Sequence, residues 1–274
     1  MSVLAAWLVG VAVADLVRGG DRFTMRGIST ASAVIAAVVT LAVGLLAGLA
    51  HGGSLLLLVV AAALAVAWVL LSNRALGTGT GSGVALTVLG LGAAVPLLLS
   101  GLTRQAAGPL ESWLDWTTAP QLRDLTVDRF LLLLGLFLAQ LSTGNALVRL
   151  VLASIGAIRP RGMPQPSDRL RGGRLLGPLE RVFILGLGLA GQVTAAGIVI
   201  AAKGLIRWPE LRITARGPHR RPAEHADHRE PDEDDGDDEH DEHVSIDAVT
   251  EYFLVGSFVS WLLALGALWL ARAS

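Results

Sequence analysis

Cysteine is absent from the 274 residues, which excludes disulfides and thiolate metal sites. Lysine occurs once, at Lys203, so arginine supplies the rest of the 22 basic residues. Charged residues make up only 16% of the chain and hydrophobic residues 53%, against roughly 25% charged in a soluble domain. A chain this apolar belongs in a bilayer. HExxH, GxSxG and CxxC signatures are missing too. The glycine-rich GTGTGSG at 77–83 has no strand before it and lacks the GK[ST] ending of a phosphate loop, so it reads as a turn. No catalytic residue, no cofactor and no nucleic-acid partner is expected.

What the chain does have is long apolar runs with at most one charged residue each, at 3–17, 28–50, 54–72, 83–102, 130–153, 182–206 and 249–271. Most are near the ~20 residues that a spanning helix needs. The expectation is therefore an all-α integral membrane protein of about seven transmembrane helices, in the cell's inner (cytoplasmic) membrane. Residues 1–157 would hold five spans, 158–181 a basic loop, 182–207 a sixth span or a re-entrant hairpin, 208–247 an acidic His-rich loop, and 248–274 the last span. The amino terminus has no basic residue ahead of its apolar run and no small-residue cleavage pattern, and it reads as a retained first span. That run is the shortest, so a marginal span or an interfacial helix is the alternative there; Asp15 and Arg18 at its end suit a local i,i+3 pair. Pro96 should kink the fourth helix. Trp113 and Trp116, beside Glu111 and Asp115, predict an interfacial amphipathic segment.

The charge is segregated. Trp208 to Asp247 holds 14 acids and 5 arginines, a local net of −9, although the whole chain carries −1. Gly217–Val244 has almost no apolar residue and is expected to be disordered. Counting arginines in the short loops puts the ends after the first, third and fifth runs in the cytoplasm. Seven spans then place the amino terminus outside, the carboxyl terminus inside and the 208–247 loop outside. Yet Arg207, Arg212, Arg216, Arg220 and Arg221 flank that loop on its near side. A re-entrant hairpin at 182–206, which Gly186, Gly188, Gly191 and Gly197 permit, would instead return the loop to the cytoplasm.

Polar residues inside apolar runs are the candidate site residues. Arg181, Gln192 and Lys203 recur every eleven residues, so on one helix they return to within about 20° of the same face. Such a helix would rise roughly 33 Å between Arg181 and Lys203, placing them at opposite membrane boundaries. Lys203 and Glu251 flank the acidic loop at one level and suit an ion pair. Ser142, Asn145 and Arg149 share a face of the fifth run, directed toward the same end as Asp15 and Glu180. A cytoplasmic-side network of Asp15, Asn145, Arg149, Glu180 and Arg181 follows, as packing or as a site for anionic lipid headgroups. His225, His228, His240 and His243, among carboxylates, suit weak binding of divalent cations, but Pro231 and Gly236 argue against the helix that would align them.

Residues 173–262 resemble a group of uncharacterised bacterial and phage-borne membrane proteins classed as a domain of unknown function. The likeness rests on Gly173-Arg174, Gly177, Glu180-Arg181, Gln192, Ala202-Lys203, Arg207, Glu210, Glu251-Tyr252 and Gly256. It implies a membrane-embedded module and no particular activity. The expected functions are a structural or accessory membrane component, a transporter or channel for a small ion or solute, and a lipid-headgroup-binding protein or lipid-directed enzyme.

Overall fold

The computed structural model describes residues 1–20, 25–103, 106, 108–119, 122, 125–157, 173–202 and 238–274, with the side chains of 20, 25–29, 173–175 and 238–253 outside that set. Every regular element among the described residues is helical. They are α1 (Ser2–Gly20), α2 (Met25–Leu46), α3 (Gly52–Thr78), α4 (Ser82–Leu98), α5 (Pro109–Trp116), α6 (Val127–Leu141), α7 (Thr143–Ser154), α8 (Gly173–Leu189), α9 (Val193–Ala202) and α10 (Asp238–Ala273). Three helices, α1, α3 and α10, are long and apolar enough to cross a membrane, or four if the bent pair α6–α7 counts as one span. The described part of α2, α4 and α9 are shorter apolar helices.

Helix α1, the marginal run by length, is the centre of the bundle. Of its most apolar window 67% is buried, against 33% for α10. Small residues permit this. Gly10 lies where a Cβ would sit 2.9 Å from the Ala36 carbonyl of α2, and Gly135 of α6 where one would sit 2.9 Å from Leu8 Cβ. Gly92 of α4 likewise leaves room for the buried Trp7 ring. Backbones that approach this closely gain dispersion contacts, the main packing force between helices in lipid. The outward faces carry Val34, Val38, Leu56, Val59, Phe258, Leu262 and Trp269, all exposed. Apolar surface of that extent is unusual in water and fits a hydrocarbon surround.

The contacts set the direction of each helix. α1 and α6 run parallel, because Ser2 pairs with Asp128, Gly135 packs on Leu8, and Ser142 donates to Ala12 O at 2.7 Å. α8 and α10 are also parallel to each other, with Arg181 against Ser260 and Gly188 against Leu268. α10 is antiparallel to α6–α7, since Gln140 meets Leu263 while Gly256 packs near Leu152. Met1 and Ser274 accordingly line one cavity at the same end of the bundle, together with Asp128 and Arg129. The expectation of termini on opposite sides is corrected by this juxtaposition.

Of three local expectations, two change and one holds. Pro96 ends α4 within a turn instead of kinking it at mid-length, as expected where a missing N–H weakens the last turn. α5 forms where the tryptophans suggested, with Leu114 buried, Trp116 exposed, and Trp113 tilted at 50° on Phe130 with centroids 5.8 Å apart. α10 begins at Asp238, inside the segment expected to be disordered. Pro231 and Gly236 precede that start, so neither residue opposes the helix that carries His240 and His243.

Candidate functional site

The fifth apolar run is not one helix. α6 ends at Leu141, α7 starts at Thr143, and their axes meet at 48°. Ser142-Thr143-Gly144-Asn145 has lower helix propensity than the leucine-rich arms on either side. A break inside an apolar run frees carbonyls that lipid cannot satisfy, so neighbouring side chains must do it. Arg181 of α8 does so for Gln140, donating to its carbonyl from Nε at 3.0 Å and from a terminal nitrogen at 2.8 Å. Asn145 Nδ2 donates to Leu141 O at 3.4 Å, and Ser142 Oγ donates at 2.7 Å to Ala12 O.

The remaining donors of Arg181 reach Asn145 Oδ1 at 2.7 Å and Ser260 Oγ at 3.1 Å, joining α7, α8 and α10. Arg181 is only 2% exposed, and Glu180 beside it accepts from Trp261 Nε1 at 2.8 Å. Gly144 is required for this fit: a Cβ there would lie 2.8 Å from Arg181 Nε. Burying a guanidinium is costly unless its donors are satisfied, and four of its hydrogen bonds are visible here.

A second charged group lies on the α1 side of the break. Asp15 pairs with Arg18 as the i,i+3 spacing predicted, and accepts from Trp68 Nε1 at 3.1 Å. Arg18 donates to Ser72 Oγ at 2.7 Å and Val69 O at 3.3 Å on α3. Trp68 is fully buried, so the pair is sealed inside the bundle. Thr143 of α7 reaches toward Asp15, and its hydroxyl has no hydrogen-bond partner of normal geometry among the described residues. The hydrogen bonds gather the predicted residues into two clusters near the α6–α7 break. Asn145, Glu180 and Arg181 belong to one and Asp15 to the other. Arg149 is half-buried one turn beyond Asn145.

The eleven-residue stripe does not survive, because no single helix carries it. α8 stops at Leu189, where Gly191 adopts φ 78°, Gln192 N–H bonds to Leu187 O at 2.8 Å and Gly191 N–H to Gly188 O at 3.2 Å. This pair of bonds around a left-handed glycine is a Schellman stop. Arg272 adds a hydrogen bond of 2.6 Å to the Gly188 carbonyl. The chain then doubles back, for Ala196 of α9 shares a buried cluster with Ile184 of α8 and Ala264 of α10. In one continuous helix Ile184 and Ala196 would be about 18 Å apart along the axis. Gln192 thus sits at the tip of a helical hairpin, exposed.

Lys203, His225 and His228 lie outside the described residues, as do the side chains of Glu251, His240 and His243. Among the described residues no group of three His, Cys, Asp or Glu side chains is placed to hold a metal. Sequence reasoning missed Gln140, Gly144, Trp68 and Ser260. Gln140 was legible as a polar residue near the middle of an apolar run; the others resemble ordinary packing residues until their partners are known. No family model, curated protein or solved structure matches the chain.

Proposed function

We propose that the protein is a multi-pass protein of the cytoplasmic membrane that passes a small ion or solute, with α6–α7 and the α8–α9 hairpin as its working parts. The observation that carries this reading is the interrupted α6–α7 helix, whose Gln140 carbonyl is held by Arg181 deep inside the bundle. Helices broken at mid-length beside a hairpin are how transporters and channels bring backbone dipoles and side chains to a path. A passive scaffold gains little from buried charge, since apolar packing of equal volume is commonly as stable. Asp15, Arg18, Glu180 and Arg181 therefore argue for use. The cavity of about 440 Å³ lined by Glu111, Asp115, Asp128 and Arg129 at one end of α6 suits an outer mouth.

The topology in this reading has six crossings in place of seven: α1, α2, α3, α4, α6–α7 and α10, with α8–α9 re-entrant. An even count supports termini on one side, in keeping with Met1 and Ser274 at one cavity. It also gathers the arginines after α1, α3, α7 and α9 into one compartment, which removes the conflict with the positive-inside rule. The acidic His-rich segment would then be cytoplasmic, available to divalent cations.

Purified protein in liposomes, assayed with dyes for H⁺, K⁺, Mn²⁺ and Zn²⁺, tests the reading. Flux that disappears in Gln192→Leu and Lys203→Met, while both variants remain folded, supports it. A second reading, a structural or accessory membrane component, is favoured by the saturation of Arg181 with protein partners. It gains if no dye responds and the two substitutions only lower thermal stability.

A further inference from the structure

We infer that α6–α7 is a two-state helix, bent when the Arg181 guanidinium holds the Gln140 carbonyl and straight when it withdraws. In a helix running through residue 142, Gln140 O accepts from Gly144 N–H and Leu141 O from Asn145 N–H. Instead Arg181 holds the first carbonyl, and the Asn145 side chain holds the second while Asn145 N–H bonds back to Ser142 O at 3.0 Å. Two consecutive backbone acceptors have been taken over by side chains. The exchange is nearly one for one, because the carbonyl that Arg181 releases is the acceptor the straight helix needs. Neither state then leaves Gln140 O bare, which a helix with two states inside a bilayer requires.

The steric requirement differs between the two states. The bent state needs a bare Gly144, since a Cβ would meet Arg181 Nε at 2.8 Å and Cζ at 3.0 Å. A straight helix accepts alanine at 144 and prefers it to glycine by about 1 kcal/mol. The far end of α7 is packed, with Leu150 and Leu152 buried, so straightening must slide it along α10. Its Leu152 and Val148 face Gly256 of α10 at ordinary van der Waals separation, 3.6 and 3.7 Å from the place of a Cβ. Closing the 48° bend would carry the end of the 12-residue α7 through on the order of 15 Å. The hairpin would stay with α10, because α8 is tied to α10 through Arg181–Ser260 and Glu180–Trp261. This inference goes beyond the transport reading and does not depend on it, as the bend is read by distance whatever does or does not cross.

The chain's lack of cysteine makes the test direct. Spin labels are placed at exposed Thr80→Cys, beyond α3, and exposed Ser154→Cys, at the end of α7, in the full-length protein in lipid nanodiscs. The parent is expected to show one main distance. Gly144→Ala and, separately, Arg181→Met should each populate a second distance, shifted by on the order of 10 Å. Arg181→Lys, which keeps a charge-assisted donor, should populate it less than Arg181→Met does. Distances are taken on monodisperse material only. Unchanged distances in folded Gly144→Ala and Arg181→Met overturn the inference and leave the bend as fixed packing; so does loss of folding in both.

Discussion

Arg181 Nε and one terminal nitrogen converge at 3.0 and 2.8 Å on the carbonyl oxygen of Gln140, 41 residues earlier in the chain. A guanidinium in that position does the work of a missing turn of helix. It also ties α8 to α6–α7 more specifically than apolar packing does.

Arg181→Met keeps the stem of the side chain but strips partners from Gln140 O, Asn145 Oδ1 and Ser260 Oγ. Asn145 Oδ1 and Ser260 Oγ each lose a charged donor, at about 1.5–3 kcal/mol per hydrogen bond, while Gln140 O turns to Gly144 N–H as the helix straightens. A destabilisation of about 3 kcal/mol is expected in thermal or denaturant unfolding in detergent. Arg181→Lys should recover part of it. Equal stability of parent and Arg181→Met would show that the guanidinium is dispensable.

Trp68→Phe removes the 3.1 Å hydrogen bond to Asp15 while keeping most of the buried ring volume. The carboxylate then relies more heavily on Arg18, at a cost of about 2 kcal/mol. Trp116→Phe, on an exposed ring, is the matched control and should stay within about 0.5 kcal/mol. The comparison is sharpest by urea titration followed by far-UV circular dichroism.

Gly10→Val places branched bulk where even a Cβ would crowd the Ala36 carbonyl and Thr40 of α2. Because α1 is the hub, α2 must move outward, at a cost of about 1–3 kcal/mol. Gly19→Val, where a Cβ meets nothing within 4 Å, is expected to melt like the parent. Melting temperatures of the two variants that coincide would contradict the close α1–α2 seam.

Cysteines introduced beside Met1 and Ser274 should be labelled by an impermeant maleimide from the same side of the membrane. One introduced in the 223–243 segment should be labelled from the other side. Labelling of the two termini from opposite sides would rule out six crossings with a re-entrant hairpin and restore an odd count.

The chain's helical character, with helices apolar and long enough to cross a membrane, is legible in its composition and in the length of its apolar runs. The polar residues worth attention were legible too: Asp15 with Arg18, Asn145, Glu180 and Arg181 all lie in buried contacts. Their partnerships were less so. Angular spacing of 100° per residue predicts which residues share a face only for as long as the helix continues. Gly191 ends α8 and Ser142 interrupts α6–α7 at places where apolar composition runs on without change.

Sequence by itself therefore determined that this chain is helical, with apolar runs of membrane-spanning length, and pointed to part of its buried polar groups. Only the tertiary structure decided that α8 and α9 double back, that both termini meet at one end, and that Arg181 closes the gap at Gln140. The physical reason is that a helix stop in lipid is permitted by whatever satisfies the carbonyls it frees. At Gln140 that group comes from a residue 41 positions away, and at Gly188 from Arg272, 84 positions away.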